Sequence, residues 1–138
     1  MQVLVPMDGS KQSWKAFEHA AERFPEATLV VLRVIDPVQA GYGIGLDGGA
    51  GAGQWLDAQE EATERLFEEV RERAEAAGAD VETRKEVGRP AREITDVAAE
   101  CDQVVIGSHG REGVSRILLG SVAENVVRRS PVPVTVVR

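Results

Sequence analysis

The stretch Val104-Val105-Ile106-Gly107-Ser108-His109-Gly110, followed after nine residues by Gly120-Ser121, decides how this chain reads. Three apolar β-branched residues make a short buried strand, and the glycines begin where it ends. A new helix is predicted to start at Ser121. Glycine lets backbone N–H groups approach a ligand closely, and a helix N-terminus carries a partial positive charge. Strand, glycine turn and helix start together make a cradle for a phosphate, held by backbone donors in place of a basic side chain. The pattern points to nucleotide binding.

Outward from this stretch, strands and helices alternate. Gln2–Pro6 reads as a buried strand, and Ser10 as the N-cap of a helix with Trp14, Phe17, Ala20 or Ala21, and Phe24 at helical spacing. Thr28–Ile35 is a second apolar strand. Leu56 to Ala77 is a long acidic helix with Leu66, Val70, Ala74 and Ala77 on one face and Gly78 as its stop. Val81–Val87 alternates apolar and polar, Pro90 opens a helix to about Cys101, and Gln103–Ile106 is the fourth strand. A helix over Ser121–Arg129 and a strand over Pro133–Val137 close the chain.

Strands alternating with helices imply an α/β fold: an open, doubly wound parallel sheet of five strands with helices on both faces, Rossmann-like. The uniformly apolar strands belong in the centre. The alternating third strand and the fifth, with Pro131 and Pro133 at its start, belong at the edges. The order 3-2-1-4-5 satisfies this with right-handed crossovers. Chains then leave strands one and four in opposite directions, and ligands bind at such a switch point, beyond the carboxyl ends of the strands. The loops there are Pro6-Met7-Asp8-Gly9-Ser10 and the Gly107 segment.

With 138 residues the chain suits one domain able to bury a core without disulfides. Its single cysteine, Cys101, continues the apolar stripe Ile94, Val97, Ala98 and reads as packing. No N-terminal signal and no membrane-spanning run is read, so a cytoplasmic location is expected. A net charge of −7 argues against a nucleic-acid partner. Only three lysines (Lys11, Lys15, Lys85) stand among sixteen basic residues; a high-salt cytoplasm and a GC-rich genome would each give that bias. Seven of the fourteen glycines fall in Gly41–Gly53. Gly43, Gly45 and Gly48 match a dinucleotide fingerprint, but they do not follow their strand directly, so a flexible glycine-rich loop is expected, able to act as a lid.

Asp8 has two readings: turn chemistry with Ser10, or a partner for a ribose hydroxyl or a cation near phosphates. Ser121-Val122-Ala123-Glu124 fits a capping box, and Ser121 is expected both to cap its helix and to donate to a phosphate. His109 can donate to a phosphate or simply be exposed. Arg111 and Arg116 either meet outer phosphates or are solvated, and Leu118-Leu119 anchor their segment to the core. No Gly-Lys-Ser/Thr sequence occurs, which excludes the Walker P-loop, and neither zinc spacing nor a catalytic triad can be picked out. Binding is better supported than turnover.

The chain resembles the universal stress protein family over essentially its whole length. The residues that carry this are Val5-Pro6-Met7-Asp8-Gly9-Ser10, Val34-Ile35-Asp36, Gly107-Ser108-His109-Gly110, Leu118 to Val126, and Pro131-Val132-Pro133-Val134. The glycine spacing ending in Gly-Ser is similar to the ATP-binding branch. The resemblance implies ATP or AMP as ligand, with Mg²⁺ or Mn²⁺ allowed beside the phosphates, and a nucleotide-dependent switch in stress response. It places adenine near Pro6, Met7 and Val34, and the ribose at Asp8. The phosphates fall to Ile106, Gly107, His109, Gly110, Gly120, Ser121 and Val122. It also implies a homodimer through the C-terminal strand Pro133–Val137, which fits a valine-rich edge in need of cover. The alternatives are a slow ATPase or adenylating enzyme, and a ligand-free dimeric interaction module.

Overall fold

The computed structural model describes residues 1–38, 49–109 and 119–138. Its elements are β1 (Gln2–Pro6), α1 (Lys11–Arg23), β2 (Thr28–Ile35), α2 (Gly49–Ala77), β3 (Asp80–Val87), α3 (Pro90–Ala98), β4 (Gln103–Gly107), α4 (Ser121–Arg129) and β5 (Val134–Val137). The strands form one sheet in the expected order β3-β2-β1-β4-β5. Every pairing is parallel, from Gln2 opposite Thr28 to Gly107 opposite Val137.

Alternate residues of the central strands point to opposite faces, so each face has its own core. Val3, Val5, Leu29, Val31 and Val105 pack under α1 and α2, against Phe17, Ala20, Phe67, Val70 and Ala74. Leu4, Val30, Leu32, Val104 and Ile106 pack under α3 and α4, against Ile94, Val97, Ala123 and Val126. Phe17 and Leu4 are among the largest fully buried side chains, so trimming either to alanine costs about 3–5 kcal/mol. On the outside of α1, the Arg73 guanidinium stacks 4.0 Å from the Trp14 ring centroid and pairs with Glu18 and Glu69.

The edges lie where strand patterning put them. β3 is half charged and partly exposed along its length, and β5 is nowhere fully buried. β5 starts at Val134, one residue later than expected. Pro133 has no N–H for the ladder and contributes only its carbonyl, to Val104 N–H at 2.9 Å.

Three local expectations are corrected. First, α2 begins at Gly49, well before Leu56, so residues 49–53 are helical and not loop. Ala50 and Ala52 are strong helix formers, and extending an established helix is far easier than nucleating one. The remainder of the glycine-rich stretch, from Gly41 to Gly48, and its suggested lid role lie outside the described residues. Second, the buried stripe of α2 is Thr63, Phe67, Val70 and Ala74, with Leu66 only half-buried and Ala77 exposed. The helix stops at Gly78, which takes φ +70°, with Ala79 N–H returning to Ala74 O at 2.9 Å. Third, α3 ends at Ala98, and single-turn bonds from Glu100 and Cys101 carry the chain on to β4. Cys101 stays in the core as expected, where burial, with Glu100 and Asp102 nearby, pushes its thiol above the usual range.

Candidate functional site

The site is built where three segments meet at the carboxyl ends of β1 and β4. The first is the turn after β1. Met7 N–H still bonds Leu32 O at 2.8 Å, holding Pro6 and Met7 buried beside β2. Asp8 Oδ1 then accepts Ser10 N–H at 2.9 Å, and Gly9 takes φ +85°, a conformation other residues rarely adopt. Ser10 caps α1 as expected: its Oγ accepts Ser13 N–H at 3.2 Å, and its carbonyl accepts Trp14 N–H. The turn chemistry expected of Asp8 is therefore present.

The second segment is the end of β4. A Cβ on Gly107 would lie 2.8 Å from the backbone carbonyl of Gln12, so the first turn of α1 sits directly on this glycine. Ser108 follows, buried, with its N–H bonded to Val137 O at 2.8 Å and its carbonyl accepting Gly120 N–H at 2.7 Å. Its hydroxyl lies 3.1 Å from His109 Nδ1.

The third is the start of α4. Here the capping-box expectation is corrected. Gly120, extended at φ −65° and ψ 160°, is the N-cap, and among the described residues no side chain caps this end. Its carbonyl accepts the first helical bond, from Glu124 N–H at 2.9 Å. Ser121 is thus already the first helical residue, and the capping position expected of it is taken by Gly120. Asn125 donates to its carbonyl at 2.9 Å. A Cβ on Gly120 would lie 3.1 Å from both Cα and Cβ of His109, a tight contact that would press α4 against this turn.

Of the predicted site residues, Pro6, Met7, Asp8, Val34, Ile106, Gly107, His109, Gly120, Ser121 and Val122 all lie at the carboxyl edge of the sheet or the start of α4. Hydrogen bonds and contacts bring Ser108, His109 and Gly120 together directly. Val34 and Ile106 are buried on the face covered by α3 and α4. Gly110, Arg111, Arg116 and Leu118 lie outside the described residues, while Leu119 packs against the core as expected. Sequence reasoning gave Ser108 no role; a small polar residue between two site glycines was the available signal.

What converges here is an α4 N-terminus whose first N–H groups have no intrahelical acceptor, walled by a backbone-pinned turn and one imidazole. Such an end attracts anions. Among the described residues no three His, Cys, Asp or Glu side chains gather as a metal site.

Fold and site together define a doubly wound α/β protein with a glycine-built crevice at the switch point of its sheet. The universal stress protein family model matches residues 1–138, and the chain belongs to that family. It is 36% identical over 145 residues to universal stress protein MJ0531 of Methanocaldococcus jannaschii, covering 99% of this chain and 81% of the relative. Among solved structures it resembles universal stress protein UspA of Lactobacillus plantarum, with TM-score 0.84 and 26% identity over 100% of this chain and 97% of that one. A universal stress protein solved in complex with cAMP is 30% identical, with TM-score 0.74 and coverage of 100% and 97%. No helix among the described residues is long and apolar enough to cross a membrane.

Proposed function

We propose that this protein binds ATP or AMP in the crevice and acts in the cytoplasm as a nucleotide-dependent switch in stress response. The observation that carries the reading is the α4 N-terminus: Gly120 is its N-cap, no side chain among the described residues closes it, and the Ser108-His109 turn stands against it. The phosphates would lie against the backbone of Ile106, Gly107, His109, Gly110, Gly120, Ser121 and Val122, with the helix-end donors beginning at Ser121, since Gly120 N–H is bonded to Ser108 O. Adenine would lie near Pro6, Met7 and Val34, with Asp8 at the ribose. A Mg²⁺ or Mn²⁺ ion, if carried in with the phosphates, would supply charge neutralisation there. A relative solved with cAMP supports an adenine nucleotide as the ligand class. Homodimerisation through the exposed edge of β5 belongs to the same proposal. Binding would order the loops around the crevice and so change what the dimer presents.

Calorimetric titration with ATP and Mg²⁺, and in parallel with AMP and cAMP, tests this. Heat is expected for at least one of them, together with nucleotide co-purifying with untreated protein by absorbance ratio and mass spectrometry. Gly120→Val, which forces a branched side chain into His109, should weaken binding by about tenfold or more. No heat from any nucleotide, and no nucleotide on the purified protein, defeats the reading. Steady phosphate release would instead make the protein a slow ATPase.

A further inference from the structure

We propose that Ser108 is a positioning residue: its hydroxyl, paired with His109 Nδ1, keeps the imidazole proton on Nε2, so that His109 donates to an anionic phosphate at the start of α4. The inference rests on the nucleotide reading above and deepens it. It assigns His109 a side-chain role beside its backbone one.

The geometry begins with how firmly Ser108 is held. It is 4% exposed, its N–H is spent on Val137 O and its carbonyl on Gly120 N–H, so only rotation about Cα–Cβ is left to it. Among the described residues the partner of its Oγ is His109 Nδ1, at 3.1 Å. The imidazole is fixed at its base as well, since His109 Cα and Cβ lie against Gly120 at the N-cap. Both ends of the pair are therefore anchored to the structure that would hold the phosphate.

The chemistry then follows from the donor inventory. A neutral imidazole has one N–H and one lone-pair nitrogen, and the group bonded to one nitrogen decides which is which. A carboxylate at this place could only accept, would draw the proton to Nδ1, and would leave Nε2 a lone pair facing the ligand. A hydroxyl can donate or accept. Donation to Nδ1 is the arrangement that gives the buried Ser108 O–H an acceptor among the described residues. It leaves the proton on Nε2, where it would meet an anion favourably. Charge-assisted bonds of this kind are the stronger ones. Should the imidazole become protonated, the same hydroxyl turns and accepts from Nδ1–H, and Nε2 remains a donor. With the proton held on Nε2, His109 would act toward the phosphate as a donor and not as a base.

Two measurements on the full chain test this. Long-range ¹H–¹⁵N spectra of the wild-type protein, recorded at alkaline pH where imidazoles are neutral, read the tautomer directly and need no variant. Comparison with His109→Ala separates its signals from those of His19. The proton is expected on Nε2 of His109 in the wild type and shared between both nitrogens in Ser108→Ala. By titration, Ser108→Ala should weaken ATP binding about fivefold, the size of one lost hydrogen bond. Ser108→Thr, which keeps the hydroxyl, should restore it. In a His109→Ala background, Ser108→Ala should change ATP binding by less than about twofold, because the two residues act as one unit. A proton on Nδ1 in an ATP-binding wild type overturns this inference alone. An equal loss from Ser108→Ala with and without His109 also overturns it, because the serine would then be merely structural. A wild type that binds no ATP overturns the nucleotide reading, and with it the ligand half of this one.

Discussion

Two helices begin beside the crevice, and their N-termini are finished in opposite ways. At α1, Ser10 closes the end with its hydroxyl, Asp8 takes the N–H of Ser10, and the first turn presses on Gly107. At α4 the cap is Gly120, with no side chain to spend on the helix. Donors at the first end are used internally, for stability. At the second, no side chain among the described residues takes them. On the proposed reading, the glycine cap belongs to the binding site and the serine cap to the scaffold.

Substitutions on either side can break or sharpen this contrast. The largest effect is expected from Gly107→Ala, because its Cβ would lie 2.8 Å from backbone atoms of Gln12 that cannot rotate away. Overpacking of that kind costs about 1–3 kcal/mol, read as a shifted denaturation midpoint. Ser10→Ala should come next, losing about 1 kcal/mol of stability while leaving nucleotide affinity near the wild-type value. If affinity falls as much as stability, the two ends are not separate in function. The smallest effect should be that of Ser121→Ala, within about 0.5 kcal/mol in the same denaturation experiment. A loss there as large as that of Ser10→Ala would mean that Ser121 is a cap after all.

Much of this was legible in the chain. The apolar runs Val3-Leu4-Val5 and Leu29-Val30-Val31-Leu32 marked central strands, the charged alternation of Val81–Val87 marked an edge, and the switch point followed from the order. The site residues fell at that switch point for the same reason. Three things were hidden. Ser121-x-x-Glu124 has the form of a capping box, but residue types do not say which residue is extended and which is already helical. The start of α2 was obscured because glycines at 49, 51 and 53 lower local propensity while the rest of the helix carries them. Ser108 could not be assigned because its role depends on Val137 and Gly120, and tertiary hydrogen bonds leave no local periodicity.

The central place of β1 has a consequence for synthesis. One of its neighbours, β4, pairs with it from the far half of the chain: Val3 lies opposite Gln103, and Gln2 N–H reaches Asp102, 100 positions away. At about 5–20 residues per second, that edge of β1 waits roughly 5–20 s for its partner after β1 itself has been made. For that interval an apolar strand has one side paired at most and the other bare, the arrangement most prone to pairing with another chain. A nascent chain of this topology carries Val3-Leu4-Val5 with one ladder edge unpaired until Gln103–Gly107 has emerged.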